Sequence, residues 1–184
     1  MDALFVIDMN KGFCEKGNLA APHIKKIVPN INKFYKEHKD NLSTVIAFTD
    51  SHNENSREFK YMPTHCVSEK EQELVDEFEI DFNETIKKNS TNGFHTFLNI
   101  EDYVFRGFHD CDQFWTIENF YITGCLTSYC VMQFALSLQT WLNEYGNFYE
   151  KYKVVVLKDC CADVDKEMEE WAIKYMQLNG IEVI

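Results

Sequence analysis

Asp8, Asp50, His52, Lys88 and Cys130 carry the reactive groups that a reading of the chain singles out first. Each follows a short apolar run, so each stands where a buried strand would give way to a loop. An acid, a cation, a thiol and an Asp-x-His pair brought to one sheet edge make a demanding pattern. A cysteine is a strong nucleophile once ionised, but a free thiol at neutral pH is mostly protonated. A place near the first turn of a helix, with Lys88 nearby, would lower the Cys130 pKa. Asp8 would then take the thiol proton and return it to a leaving group.

The elements that must position these groups alternate along the chain. Strand-like runs lie at Ala3–Ile7, Thr44–Thr49, Glu84–Lys87, Phe120–Thr123, Lys153–Leu157 and Ile181–Ile184. Ile24, Ile27, Ile31, Phe34 and Tyr35 share one helical face, with Pro29 at a kink or in a first turn. Ser68 and Glu71 form a capping box that opens a helix over Glu69–Phe78. Val131, Phe134, Ala135, Leu138, Leu142 and Tyr145 mark a long helix ending near Gly146, and Asp165 caps another running through Leu178 to Gly180. Such alternation implies an α/β fold of three layers, α/β/α, around a mostly parallel central sheet. Ligands of such sheets bind outside the carboxyl ends of the strands.

Composition bounds the function. The 184 residues suit one domain spanning 1–184, and 45% hydrophobic with 15% aromatic residues excludes disorder. A net charge of −12 argues against nucleic acid as a partner. No stretch approaches the roughly eighteen apolar residues of a membrane span, so no membrane partner is expected. The opening Met-Asp-Ala-Leu lacks the basic leader of a signal peptide. The chain therefore reads as cytoplasmic, with a small molecule as its partner and a homo-oligomer left open. Seven cysteines without zinc-ribbon or thioredoxin spacing argue for reduced thiols. Apart from Cys130 they read as structural.

Three segments carry a family resemblance. Asp8-Met9-Asn10-Lys11-Gly12-Phe13 is similar to an opening Asp-x-Gln-x-x-Phe segment, and Lys88 through Phe94 to a Lys followed by Ser-Ala-Phe. Thr123-Gly124-Cys125-Leu126-Thr127-Ser128-Tyr129-Cys130-Val131 resembles the nucleophile segment of the isochorismatase-like cysteine hydrolases. Leu157 through Ala162 extends the likeness toward the last strand.

The resemblance implies Asp8, Lys88 and Cys130 as the catalytic set. It also implies a cis peptide between Cys125 and Leu126, with the Leu126 and Cys130 amides as an oxyanion hole. Asp50-Ser51-His52, followed by Met62-Pro63-Thr64-His65-Cys66, is similar to the metal-binding stretch of the nicotinamidases. Asp50, His52 and His65 would hold one divalent transition metal, zinc first with manganese or iron as alternatives, and Glu58 is a candidate further ligand. Phe13 and Tyr129 would contact the substrate. The implied reaction converts nicotinamide to nicotinate and ammonia through a Cys130 thioester. Met62 stands where nicotinamidases generally carry an aromatic residue, with Tyr61 or Tyr129 as substitutes. Competing readings are a metal-independent amidase or ureidohydrolase, and a noncatalytic thiol or metal-binding module.

Overall fold

The sheet holds six parallel strands in the order β3-β2-β1-β4-β5-β6. They are β1 (Asp2–Ile7), β2 (Leu42–Asp50), β3 (Glu84–Lys88), β4 (Asn119–Cys125), β5 (Lys153–Ala162) and β6 (Glu182–Val183). The computed structural model describes residues 1–99, 117–146 and 152–184, the side chains of residues 98 and 99 apart. Cys111 lies outside the described residues. No described helix is long and apolar enough to cross a membrane.

Strand β1 sits in the middle and is buried throughout. Its side chains alternate with the pleat. Ala3, Phe5 and Ile7 enter a core shared with α4 (Gly93–Asn99), α5 (Met132–Tyr145) and α6 (Lys166–Leu178). Leu4 and Val6 enter a second core with a 3-10 turn (Ile24–Ile27) and α2 (Val28–His38). Helices thus cover both faces, giving the expected three layers. Pro29 lies in the first turn of α2, where its missing N–H costs nothing.

The strand order has one consequence for function. The chain moves from β1 outward to β3, then returns to place β4 on the other side of β1. That reversal opens a crevice at the carboxyl ends of β1 and β4, the position where open α/β sheets bind ligands. Asp8 follows β1 and Cys130 lies shortly after β4.

Three expectations are corrected. The helix expected over Glu69–Phe78 is only one turn, α3 (Glu69–Gln72), although its capping box forms. Tertiary backbone pairing takes over. Glu73 is extended, its carbonyl accepts from the Lys11 amide at 2.8 Å, and Leu74 pairs antiparallel with Asn10. Lys11 itself lies in a short helix, α1 (Lys11–Cys14). The last strand spans Glu182–Val183 rather than Ile181–Ile184, and β5 runs on to Ala162 rather than ending at Leu157. The extension is possible because β5 bulges: Ile122 pairs with Val156, but Gly124 pairs with Cys161.

At Gly124 the backbones of β1 and β4 leave no room for a side chain. Its φ is 114°, and a Cβ there would lie 1.9 Å from the Ile7 carbonyl oxygen. Gly124→Ala is therefore expected to destabilise the fold by about 3 kcal/mol or more. That corresponds to a fall in Tm of roughly 6–12 °C in a thermal melt. An unchanged Tm would refute the close approach.

Candidate active site

The site is assembled from adjacent strand ends. Asp50 and Lys88 are register partners at the ends of β2 and β3. Asp8 leaves β1 with a φ of 51°, a left-handed conformation that Asp tolerates better than most residues. Its amide donates to the Phe48 carbonyl at 2.9 Å, which ties the turn to β2.

Lys88 is the hub. Its side chain is fully buried, and Nζ lies 2.7 Å from Asp8 Oδ2, 2.8 Å from Asp50 Oδ1 and 3.9 Å from Cys130 Sγ. Nζ also donates to the Ser90 carbonyl at 3.0 Å. Burial by itself would lower the Lys88 pKa, but the two carboxylates hold it well above the ordinary value. One cation thus faces two buried carboxylates.

The two carboxylates respond differently. Burial raises Asp8 to about 7, with Lys88 pulling it down and Asp50 pushing it up. Burial also acts to raise Asp50, but Lys88, His52 and His65 overcome it and hold Asp50 well below the usual carboxylate range. Asp8 is the one poised to exchange a proton near neutrality.

The expectation of a depressed thiol pKa is not met. Burial pushes the Cys130 thiol well above its ordinary value. Lys88 lowers it, but Asp8 and Asp50, which share that cation, raise it again. The helix start contributes less than the sequence suggested. Cys130 sits within a π-helical turn (Thr127–Val131), where the Tyr129 and Val131 amides are both spent on the Leu126 carbonyl, at 3.1 and 3.2 Å.

That turn is anchored by a residue the sequence reading missed. Asp163, buried just after β5, accepts from the Ser128 amide at 2.6 Å through Oδ2 and from the Asp165 amide at 3.1 Å through Oδ1. Its carbonyl is 2.6 Å from His23 Nε2. An acid at a strand end was the available signal. The Cys125–Leu126 peptide is cis, and the Cys125 thiol donates to the Asp8 carbonyl at 3.0 Å.

Beside Lys88 lies a cluster of metal-ligand type. Donor atoms of Asp50, His52 and His65 all lie within 4.8 Å of one another. Asp50 Oδ2 is 3.1 Å from each histidine Nε2, and Glu58 Oε2 is 3.8 Å from His52 Nε2. Donors around a tetrahedral ion with bonds near 2.1 Å stand about 3.4 Å apart, so these separations fit.

Hydrogen bonding fits as well. Asn89 Oδ1 accepts from the Asn53 amide at 3.1 Å and lies 3.3 Å from His52 Nδ1, which must therefore carry the proton. His65 Nδ1 is 2.7 Å from the Pro63 carbonyl, with the same result. In the neutral rings that arrangement leaves each Nε2 lone pair available to an ion. Thr91 holds Glu58 Oε1 through its amide at 2.8 Å and its hydroxyl at 3.1 Å. Buried Glu58 Oε2 and His52 Nε2 have no hydrogen-bond partner. Burial opposes charge on His65, but Asp50 and the Pro63 carbonyl raise its pKa nonetheless.

Aromatic groups wall this cluster. Phe13 is buried with its ring centre 5.6 Å from that of His65. Phe59 packs on His52 and His65 at 5.2 and 5.6 Å. Phe59 thus supplies an aromatic wall beside the cluster, whereas Tyr61 is 74% exposed and Tyr129 40%. The remaining described cysteines, Cys14, Cys66, Cys125, Cys160 and Cys161, are free and buried.

The family model for the isochorismatase domain matches residues 2–184. The pyrazinamidase of Pyrococcus horikoshii in complex with zinc is 26% identical with a TM-score of 0.76, covering 100% of this chain and 98% of that one. The pyrazinamidase/nicotinamidase of Streptococcus mutans is 18% identical with a TM-score of 0.76, covering 100% of both chains. The N-carbamoylsarcosine amidase of Thermoplasma acidophilum is 20% identical with a TM-score of 0.72, covering 100% of this chain and 95% of that one. No curated protein sequence matches the chain.

Proposed function

The chain belongs to the isochorismatase family of hydrolases, and from that premise we propose that it is a cysteine amidohydrolase converting nicotinamide to nicotinate and ammonia. The observation that carries this reading is the placement of the Asp50, His52 and His65 donors beside the Lys88, Asp8 and Cys130 cluster, with Lys88 bonded to Asp50 at 2.8 Å. A divalent transition ion held there, zinc in the first instance, supplies a Lewis-acid anchor for a ring nitrogen. The zinc-bound pyrazinamidase of similar fold supports that choice. Phe13 and Phe59 flank the flat ring.

The chain's own groups perform the exchange. Asp8 accepts the thiol proton as Cys130 Sγ bonds to the amide carbon, because a thiol whose pKa burial raises needs a base during attack rather than before it. The Leu126 and Cys130 amides receive the carbonyl oxygen as it gains charge. Asp8 returns the proton to nitrogen, the C–N bond breaks, and ammonia leaves a Cys130 thioester. Asp8, again a carboxylate, draws a proton from water, which adds to the thioester carbon. The C–S bond then breaks, the proton held by Asp8 restores the thiol, and nicotinic acid departs, giving up its own proton to the released ammonia as nicotinate and ammonium form. Lys88 remains protonated throughout and keeps the buried carboxylates from repelling one another.

The test is ammonia release from nicotinamide by the purified chain, with and without a chelator. Release that the chelator abolishes and zinc restores is the expected result. Activity on a carbamoyl compound alone, indifferent to chelator, would replace this reading with a metal-independent ureidohydrolase.

A further inference from the structure

Helix α6 carries a second surface, away from the chemistry. Ala172 and Met176 face inward. On another side Met168, Trp171, Tyr175 and Leu178 recur at three- and four-residue spacing. Trp171 is 50% exposed, Tyr175 42% and Leu178 84%. The Trp171 and Tyr175 rings stack with centres 5.2 Å apart and planes 10° from parallel. Residues at this spacing share one helix face, so the four form a continuous apolar strip about 15 Å long. Single exposed apolar residues are ordinary. A strip centred on Trp and Tyr has the composition of an interface.

The flanking charges say what covers it. Glu167 and Lys174 are both exposed and lie seven residues apart, two turns along the same flank. In a two-fold pairing of antiparallel helices centred on Trp171, residues equally spaced before and after Trp171 meet. Trp171 then faces its own mate. Met168 faces Tyr175, and Glu167 faces Lys174, each to within one residue. The antiparallel arrangement is thus self-complementary in charge.

We propose that this strip is a self-association surface through which two copies of the chain form an antiparallel two-fold dimer. A helix pair alone buries less than a standard interface, so the dimer is concentration-dependent rather than obligate. Sedimentation of the full chain from micromolar to hundreds of micromolar should show monomer giving way to dimer. Trp171→Glu should leave monomer throughout, with an unchanged circular dichroism melt. Glu167→Lys and Lys174→Glu should each raise the dimer Kd at least about tenfold, since each creates two like-charge contacts per dimer. The double variant Glu167→Lys with Lys174→Glu should return to near the wild-type Kd, because the exchanged charges meet again. A wild type that stays monomeric, a dimer that Trp171→Glu leaves intact, or a double variant as weak as either single one would overturn the proposal.

Discussion

Replacing Cys130 with Ala is expected to lower amide turnover by about four orders of magnitude or more, because the route through a covalent thioester disappears with its sulfur. The residue is buried against Val131 and Phe134 in the core, and the change removes one atom, so the melt should move little. The pH profile of the wild type adds a second readout. The form of Asp8 that accepts the thiol proton is the carboxylate, and burial raises its pKa to about 7. The rate should therefore rise with pH through about 7 and fall away below it as Asp8 becomes protonated. Asp8→Asn should lose at least about two orders of magnitude together with that acid limb. Turnover near the wild-type level in Cys130→Ala would end the mechanism. An acid limb that survives Asp8→Asn would move the base elsewhere.

The second large effect belongs to His52 and His65. Elemental analysis of the purified chain should find close to one transition metal per molecule, and His52→Ala or His65→Ala should remove it. Nicotinamide hydrolysis should fall with the metal. Cys130 should still be slowly alkylated by a small reagent, since Asp8 and Lys88 remain. Benzamide keeps the amide but lacks the ring nitrogen, and should be a much poorer substrate of the wild type. Full nicotinamide activity in a metal-free preparation would sink the assignment. Lowering pH should also release the metal, because the lone pairs it needs are the ones that protons compete for.

Much of the fold was legible because its signals are local. Buried strands announce themselves as short runs rich in Val, Ile and Phe, and the helix after Cys130 carries its apolar face in its own spacing. Asp8, Asp50 and Lys88 stood out because they end such runs. Other features depend on what arrives from elsewhere. The helix after Ser68 ended early because Asn10, some sixty residues away, claimed the backbone at Leu74. Phe59 lies in a single 3-10 turn (Arg57–Lys60) and Asn89, Thr91 and Asp163 in loops, none with periodicity, and their partners are decided by packing. The thiol pKa was misjudged because sequence shows which charges are near in order, not how deeply a sulfur is buried or how many anions share one ammonium.

The central position of β1 also shapes how the molecule must be made. One edge of this strand pairs with Leu42–Phe48, but the other waits for Asn119–Gly124, about 110 residues later. At ordinary rates of chain elongation that delay is on the order of ten seconds. Through that interval the apolar segment Ala3-Leu4-Phe5-Val6-Ile7 has an unsatisfied edge, the condition under which nascent chains associate wrongly or engage chaperones. Distant pairing of this kind also makes folding slow, since loop closure precedes its reward. Because Cys130 follows the strand that completes β1, a growing chain carries no assembled nucleophile until the late strand has docked, and catalytic competence arrives with the closing of the sheet.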